Sequence, residues 1–502
     1  MARHHRIRRI RPSTIGTAFL LLALLLSMLA GLPAAAAPAP QLSLVAAAAS
    51  VTIDRFPDEP VFLDLGINMV AGSRPFEIRV KRTSYRDPIV ATQILRPGQT
   101  RTLPAGLVTD FGGFSDFLHL TLTNAAGAKV VDRDQVFCPN AWETVRVRPD
   151  APPTSPYPQL CGTNPFTIGS VWGIQAGWAV NTAMGDFDAF VDLPDGSYTA
   201  KVRVNQPYPQ VFGIPPAQSA ATVKVTIRTV DSPFGGAAAA ATPGRVASSQ
   251  VDAPRPAARP AGRATVPAVP RPDLRPLPAW GIGVVGPEEA GVPATGPQQY
   301  LAFNANVWNA GPSPLVVDGF RRPGTLLMDA YQYFFDTSGH QVGWAPTGTL
   351  EYDTRDGHQH WHFTDFARYR LLKADKQVAV RSQKESFCLA PTDAIDLTVG
   401  GANWQPFITD LHTACGGSSA IAIRETLDTG WGDTYSQFLP GQSFDITTMA
   451  NGTYYIEVVA NPDHRLYERS TSNNRSLRKV ILGGTRGHRT VTVPPYQGID
   501  AP

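Results

Sequence analysis

The 502-residue sequence carries little charge, which limits the partners that it suits. Only 17% of its residues are Asp, Glu, Lys or Arg, and the formal net charge is +3, against roughly 25% charged residues in an average globular protein. Five arginines lie within the first eleven residues, so the rest of the chain has a formal charge of −2. A near-neutral chain has no basic surface for a polyanion, and we expect no nucleic-acid partner.

Long apolar runs are also missing, with one exception at the N-terminus. The run TAFLLLALLLSMLAGL (17–32) follows the arginines and precedes the small residues PAAAAPAP. This order is typical of an export signal, so we predict a signal peptide over residues 1–37, with an uncleaved anchor as the alternative. No later run reaches the ~18 apolar residues of a membrane span. We therefore expect a secreted or cell-wall-associated protein with no membrane span after cleavage.

Helical periodicity is scarce, whereas turn-forming residues are abundant. The chain contains 44 Gly and 46 Pro, and its apolar residues fall into short alternating segments, as in the strands of a β-sandwich. Residues 231–272 are rich in Ala, Pro and Arg without apolar periodicity, which is typical of a disordered linker. We predict an all-β protein with β-sandwich domains over residues 50–230 and 273–485 and a C-terminal tail over 486–502.

The two predicted domains resemble each other. FSDFLHLTLTNAAGAKVVDRDQVFC (114–138) matches FTDFARYRLLKADKQVAVRSQKESFC (363–388) with one gap. Further along, DGSYTAKVRVNQPY (195–208) matches NGTYYIEVVANPDH (451–464). Two weaker matches keep the same order. Together they predict an internal duplication.

Cysteine is rare, and the four cysteines fall two in each predicted domain: Cys138, Cys161, Cys388 and Cys415. An even number in an exported chain favours disulfides, and four cysteines allow three pairings. If each copy of the duplication keeps its own pair, the disulfides are Cys138–Cys161 and Cys388–Cys415.

Three of the ten histidines alternate in the segment DGHQHWHFTDF (356–366), at His358, His360 and His362. Alternate residues of an extended chain point to the same side. The three imidazoles can therefore bind one ion, and imidazole suits copper, zinc, iron and nickel. The alternative is a solvated polar face. The matching positions of the first predicted domain hold no ligand, since they are Thr109, Phe111 and Gly113.

Further motifs follow in an order that makes the second domain similar to the lysyl oxidase family. GHQHWH (357–362) resembles the family's copper motif, KESFCL (384–389) its lysine motif and GDTY (432–435) its tyrosine motif. The opening and closing segments also match, as RPDLRPLP (271–278), FDITTMANGTYYIEVVANP (444–462) and ERSTSNN (468–474). The resemblance covers about residues 271–482.

The resemblance implies a copper-dependent amine oxidase. Its copper ligands would be His358, His360 and His362, and its organic cofactor, lysyl tyrosylquinone, would form from Lys384 and Tyr435. Such an enzyme converts primary amines, either peptidyl lysine or small amines, to aldehydes with O2 and releases NH3 and H2O2. The cofactor carries the redox chemistry, while the protein provides placement. The implied partners are therefore an amine or protein-lysine substrate and O2.

The base that removes a proton from the substrate is not identified by the motifs. Asp433 in GDTY is a candidate, although an aspartate in a turn often serves only to shape the turn. Lys384 and Tyr435 have no equivalent in the first predicted domain, where the matching residues are Asp134 and Thr182. We therefore predict that the first domain is non-catalytic.

The sequence departs from the family pattern in two respects, and one competing hypothesis stays open. The chain between Lys384 and Tyr435 is longer than in the family by an insertion around TVGGANWQPF (398–407), and animal members are richer in cysteine. The competing hypothesis is a non-enzymatic copper-binding or cell-surface β-sandwich protein on a decayed oxidase scaffold. Lys384 and Tyr435 discriminate between the two, because a protein that only binds metal needs neither.

Overall fold

Strands dominate the structure, which is a computed structural model. It describes residues 41–185, 189–230, 259–292, 296–354, 359–381, 386–408, 411–436 and 442–502. The predicted signal peptide, most of the predicted linker, His358 and Lys384 lie outside these residues. Nearly all regular structure that is described is β-strand, so the all-β prediction is confirmed.

The described part of the first half of the chain, residues 41–185 and 189–230, contains fifteen strands. These are β1 (Leu42–Ala46), β2 (Ser50–Arg55), β3 (Val61–Phe62), β4 (Ile67–Ala71), β5 (Phe76–Lys81), β6 (Val90–Arg96), β7 (Gln99–Thr102), β8 (Phe114–Asn124), β9 (Lys129–Phe137), β10 (Thr144–Arg146), β11 (Gly169–Ile174), β12 (Trp178–Asn181), β13 (Phe190–Val191), β14 (Gly196–Val204) and β15 (Ala220–Thr229). One short α-helix, α1 (Tyr208–Phe212), and 3-10 turns at Thr182–Gly185 and Pro216–Gln218 complete this half.

In the second half, residues 259–502, the segments that the structure describes contain sixteen strands. These are β16 (Leu274–Pro276), β17 (Trp280–Val285), β18 (Tyr300–Asn309), β19 (Leu315–Arg321), β20 (Leu327–Phe335), β21 (Gln341–Tyr352), β22 (Trp361–Phe363), β23 (Ala367–Lys373), β24 (Val378–Arg381), β25 (Asp393–Ala394), β26 (Ala422–Leu427), β27 (Trp431–Tyr435), β28 (Ser443–Asp445), β29 (Gly452–Ala460), β30 (Arg475–Thr485) and β31 (His488–Thr492). A 3-10 turn lies at Pro406–Ile408.

The sheets of the two halves follow similar strand orders. The first half has sheets β1-β4-β12-β10, β11-β5-β6-β7 and β2-β15-β14-β8-β9, with β3 and β13 as a separate pair. The second half has sheets β16-β18-β27-β25 (β17 and β28 also pair with β18), β22-β21-β20-β19-β26 and β24-β23-β29-β30-β31. Each half has one five-stranded sheet that contains a hairpin of the matched segments, β8/β9 in the first half and β23/β24 in the second. In both sheets the hairpin is followed by two strands from later in the chain, β14 and then β15 in the first half and β29 and then β30 in the second. The duplication stays a prediction, and this shared order supports it.

Two pairs of matched residues also have the same local structure. The Tyr198 hydroxyl donates to the carbonyl of Pro194 (2.7 Å), and the Tyr454 hydroxyl donates to the carbonyl of Ala450 (2.9 Å), four residues upstream in each case. Asp116 and Asp365 both adopt positive φ, at 51° and 59°, a conformation that aspartate tolerates better than most residues. A shared backbone conformation explains why both aspartates occur, without a catalytic role.

Each half has its own apolar core, and a third set of apolar contacts joins them. One core uses residues between Leu42 and Ile227, and the other uses residues between Leu274 and Leu482. Between them, Phe166 packs with Trp308 and Ile395. Residues 41–502 therefore form one compact unit.

Two segments expected to lie outside the domains pair with strands. Thr265, within the predicted linker, exchanges two backbone hydrogen bonds of 3.0 Å with Trp344 of β21. Within the predicted tail, β31 pairs with β30, and Tyr496 packs against Phe166 of the first half. The second half thus extends beyond residues 273–485 at both ends.

No helix within the described ranges is long and apolar enough to cross a membrane.

The matched tyrosines predict matched stability losses. Tyr198→Phe and Tyr454→Phe each leave a partly buried carbonyl without its donor, so each should lower the free energy of unfolding by about 1 kcal/mol. Urea denaturation measures this change. Tyr467→Phe is the control, because the Tyr467 side chain is 39% exposed. Equal stability of all three variants would contradict the expectation.

Candidate active site

The last two residues of the histidine motif, Trp361 and His362, lie on β22, an edge strand of its sheet. β22 pairs with β21, which places His362 opposite Glu351. Trp361 is fully buried; its backbone N–H donates to the carbonyl of Cys415 and its indole N–H to the carbonyl of Gly417, both at 3.0 Å. The core therefore fixes the tryptophan between the two histidines.

The imidazoles of His360 and His362 face each other. Their Nε2 atoms are 2.9 Å apart, and their rings are inclined by 76°. His362 is only 2% exposed, so its surroundings are not those of a solvated face. Two nitrogens that each lie about 2.0 Å from one ion, at a right angle, are about 2.8 Å apart. The pair therefore fits two adjacent ligands of a copper ion.

Asp353 extends this pair of histidines. Its Oδ2 lies 3.7 Å from His362 Nδ1. A carboxylate on that side favours the tautomer with the proton on Nδ1, which leaves the Nε2 lone pair to bind a metal. In the part of the chain that the structure describes, no group of three or more His, Cys, Asp or Glu side chains has a metal-binding arrangement. His358 lies outside that part, so the three-histidine copper site stays a prediction.

The lysine motif is joined directly to the histidine strand. Phe363, next to His362, exchanges two backbone hydrogen bonds with Phe387, at 2.7 and 3.0 Å. Ser386 lines the same surface pocket as His362 and Asp353. Lys384 precedes Ser386 by two residues and lies outside the described residues.

The tyrosine motif packs onto the lysine motif. The ring of Tyr435, at the end of β27, lies 4.4 Å from the ring of Phe387 with an edge-to-face angle of 84°. Its hydroxyl donates to the carbonyl of Cys388 (3.2 Å), and the side chain is buried. Phe363 thus contacts Phe387, and Phe387 contacts Tyr435, so the histidine, lysine and tyrosine motifs are joined in space one to the next.

A disulfide stabilises this junction. Cys388 is bonded to Cys415, with Cα atoms 5.9 Å apart. The Cys388 carbonyl accepts the Tyr435 hydroxyl, and the Cys415 carbonyl accepts the Trp361 N–H. The disulfide therefore connects the strand of the histidines to the residues that hold Tyr435. A second disulfide joins Cys138 to Cys161, so both pairs are the ones that the duplication suggested.

Asp433 lies in the middle of strand β27 and is buried. The expectation that it sits in a turn is wrong, because β27 pairs with β18 on one side and β25 on the other. Burial raises the pKa of Tyr435 well above its usual range, and the charges of Asp433 and Glu425 raise it further. The Tyr435 phenol is therefore neutral in the protein without a bound cation, in agreement with its role as a donor to Cys388.

Three residues beside these motifs were not predicted from the sequence: Asp353, Tyr369 and Glu425. Glu425 is fully buried, accepts the backbone N–H of Leu389 (3.1 Å), and its pKa is raised well above its usual range, first by burial and then by Asp433. The pKa of Tyr369 is raised by the same two causes. Alternation in AIRETL places Glu425 on the face of Ile423 and Leu427, where a carboxylate among apolar residues is a signal for a functional role.

Comparison with known proteins agrees with the position of these motifs. Residues 341–491 match the family model described as lysyl oxidase. The chain is 30% identical to pig (Sus scrofa) protein-lysine 6-oxidase over 142 residues, which are 28% of this chain and 51% of that protein. It is 32% identical to human (Homo sapiens) protein-lysine 6-oxidase over 142 residues, or 28% of this chain and 30% of that protein. It is 33% identical to human lysyl oxidase homolog 1 over 120 residues, or 23% of this chain and 18% of that protein. The chain thus spans about half the length of the pig relative and less of the human ones.

Removing the Cys388–Cys415 disulfide should affect both stability and copper. The double variant Cys388→Ser/Cys415→Ser should lose about 3 kcal/mol of unfolding free energy. The bridge joins residues 27 positions apart, and a disulfide that closes a loop of this size restricts the unfolded chain by about that amount. Its copper affinity should fall by about tenfold or more, since Trp361 loses a fixed partner beside the histidines.

The other disulfide provides the matched control for this variant. Cys138→Ser/Cys161→Ser removes a bridge of similar sequence separation, 23 against 27 residues, and should lower stability without changing copper affinity. Chemical denaturation and competition with a chelator measure the two quantities. Equal copper affinity in both double variants would contradict the expected link between Cys415 and the histidines.

Asp428, in the turn before β27, should make stability depend on pH. Burial raises the pKa of its carboxyl from 3.8 to about 6, against an opposing hydrogen bond from Asn403. Between about pH 4 and 6 the folded protein keeps a proton that the unfolded chain releases, so the unfolding free energy falls as pH rises, by up to roughly 3 kcal/mol. Asp428→Asn should remove this loss. Denaturation at pH 4 and 7.5 tests it, with the exposed Asp87→Asn as control; an unchanged pH dependence in Asp428→Asn would refute the assignment.

Proposed function

Because the C-terminal half of this chain belongs to the lysyl oxidase family, we propose that the protein is a copper-dependent amine oxidase with a lysyl tyrosylquinone cofactor. The substrates are primary amines, either peptidyl lysine or small amines, which the enzyme converts to aldehydes with O2, releasing NH3 and H2O2. In this proposal Lys384 and Tyr435 form the cofactor, and His358, His360 and His362 bind copper.

The junction of Phe363, Phe387 and Tyr435 carries the proposal. A backbone pair joins the histidine strand to the lysine motif, and the Tyr435 ring packs on Phe387. A protein that used its histidines only to hold metal would have no reason to place a buried tyrosine against the lysine motif. The alternative, a metal-binding protein on a decayed scaffold, does not account for this arrangement.

The residues around the copper position are suited to a redox-active ion. His360 and His362 present two nitrogens at a suitable separation, and Asp353 orients His362 from behind. Copper held by His358, His360 and His362 would supply the redox chemistry with O2 that converts Tyr435 and Lys384 into the cofactor. The burial of His362 and Tyr435 excludes water from the ring that is oxidised.

The carboxylates near Tyr435 are suited to proton transfer. Asp433 and Glu425 both raise the pKa of Tyr435, so their charges act on the ring at short range in a buried setting. A base for the substrate proton must lie in such a position. Asp433 remains the candidate base, and Glu425, which holds a proton more tightly than an exposed carboxyl, is the second candidate.

We place the enzyme outside the cytoplasm. The predicted signal peptide over residues 1–37 provides export, and the two disulfides suit an oxidising compartment. A secreted or cell-wall-associated position would also bring the enzyme to extracellular amines and protein lysines.

Peptide mass spectrometry of the copper-loaded, aerated protein tests the proposal. We expect a covalent link between the peptides that contain Lys384 and Tyr435, because copper and O2 are both needed to oxidise the ring. Lys384→Arg and Tyr435→Phe should each abolish the link and the release of H2O2 from primary amines. Zinc loading should give no link, since zinc has no redox chemistry.

The exposed lysine Lys373 provides a matched control, because Lys373→Arg changes a surface residue at the end of β23, outside the three motifs. This variant should form the link at the wild-type rate. Unlinked peptides in a fully copper-occupied, oxygen-exposed wild type would exclude the oxidase and favour the metal-binding alternative.

A further inference from the structure

The first half of the chain contacts the segment that pairs with the tyrosine strand. We propose that this half is a positioning domain for Tyr435, and that it acts through residues 392–405, which we name the docking segment. The proposal rests on the proposed function for the role of Tyr435. It gives the non-catalytic half a task within the same reaction.

One side of the docking segment pairs with strand β27. Asp393 and Ala394 form β25, opposite Gly432 and Trp431. The N–H of Ile395 donates to the carbonyl of Gly430 (2.9 Å). Gly430 has a φ of +88°, and a Cβ at this position would lie 2.5 Å from the carbonyl oxygen of Asp396. The backbone of the docking segment therefore lies in close contact with Gly430, which directly precedes β27, and leaves no room for a side chain there.

The other side of the docking segment pairs with the first half. The N–H of Ile168 donates to the carbonyl of Ile395 (2.8 Å), and the N–H of Leu397 donates to the carbonyl of Gly169 (2.9 Å). Gly169 and Asp396 form a parallel bridge. The docking segment thus lies between β11 of the first half and β27 of the second, with backbone hydrogen bonds on both sides.

A chain of side-chain hydrogen bonds crosses the docking segment and ends beside Tyr435. The amide of Asn164, in the first half, donates to Asp393 Oδ2 (3.2 Å). The same oxygen accepts the hydroxyl of Thr434. Thr434 also donates its backbone N–H to Thr392 Oγ1 (2.7 Å). Because Thr434 directly precedes Tyr435, the side chains of Asp393 and Thr434 link Asn164 of the first half to the tyrosine strand.

Apolar and cationic contacts add rigidity to this interface. Tyr157 and Val171 of the first half pack with Leu397 and Trp431. Trp404 stacks on Tyr157 with ring centroids 6.3 Å apart and lies 4.4 Å from the Arg79 guanidinium carbon. Apolar packing of this kind between two halves resists their relative motion.

The position of the docking segment in the sequence agrees with this role. Its second part, residues 398–405, belongs to the insertion by which this chain exceeds its family resemblance. Trp404 and Gln405 of the insertion contact Tyr157 of the first half. The insertion therefore provides a surface on which the first half packs.

Fixed placement of Tyr435 matters because its ring must meet a lysine. A bond between two side chains forms fast only when the reacting atoms are held close together in a near-attack geometry. Strand β27 has β18 on one side, and the docking segment supports the other. Loosening that segment should slow the Lys384–Tyr435 reaction without removing any copper ligand.

A glycine in the interface gives a test that leaves both halves intact. At Gly169→Ala the new Cβ would clash with the Asp396 carboxylate and lie 2.7 Å from Thr398 Oγ1, both in the docking segment. The matched control is Gly196→Ala, where the nearest atom belongs to Tyr198 of the same half at 3.6 Å. Neither glycine has a positive φ, so neither variant strains the backbone.

Two measurements compare the variants in the full-length protein. Hydrogen exchange of the metal-free protein reports the Thr434 and Ile395 amides, which we expect to exchange at least tenfold faster in Gly169→Ala than in Gly196→Ala. Mass spectrometry at saturating copper reports the rate of the Lys384–Tyr435 link, which should fall several-fold in Gly169→Ala while the copper affinity stays unchanged. Equal exchange and equal linking rates in the two variants would overturn the proposal, even if Gly169→Ala melts at a lower temperature.

A second variant covers the case in which Gly169→Ala does not fold. Asn164→Asp keeps the Oδ1 that accepts the Phe166 N–H but sets a carboxylate against Asp393, so it should raise the same exchange rates. If wild type forms no link, the proposed function fails, while the exchange data still decide whether the first half positions β27. The two failures are therefore distinguishable.

Discussion

The backbone pair between Phe363 and Phe387 is the contact on which the rest of the candidate site depends. It joins an edge strand of one sheet to a segment of irregular chain, and thereby brings motifs that are 20 residues or more apart in sequence into contact. The Cys388–Cys415 disulfide fixes the same junction from the other side. These backbone hydrogen bonds and the covalent bridge both tie the strand of His362 to the residues beside Tyr435, so the protein itself fixes the position of one relative to the other.

The polar groups at this junction are buried, where ionisation of a side chain is energetically unfavourable. Glu425 and Asp433 are buried; Asp433 makes ionisation of Glu425 less favourable, and both carboxylates do so for Tyr435. Structural proteins rarely keep such a group of residues in a core, since apolar residues of the same size would be more stable. Its presence therefore fits a site where protons are exchanged, and a bound cation would relieve part of the electrostatic cost.

The two halves form one structural unit rather than two domains on a linker. The docking segment pairs with both, Phe166 packs against Trp308 and Tyr496, and Thr265 extends the sheet of the second half. A mutation at this interface can therefore reach Tyr435 through backbone hydrogen bonds and not only through lost stability. The first half lacks every residue that is predicted to take part in the chemistry. Its contacts with the docking segment give it a positioning role instead.

The sequence alone determined the all-β class, the alternating histidines and the local cysteine pairs, because these follow from alternation, spacing and repeated segments. The lysine and tyrosine motifs came from the resemblance to the lysyl oxidase family. Tertiary structure decided the rest. Asp433 lies in a strand because β18 and β25 flank it, and neither partner is near in sequence. Glu425 and Asp353 join the site through sheet pairings that periodicity does not specify. The role of the segment 398–407 was also hidden, since Trp404 and Gln405 contact Tyr157, which lies more than two hundred positions away in the sequence, and only folding brings them together.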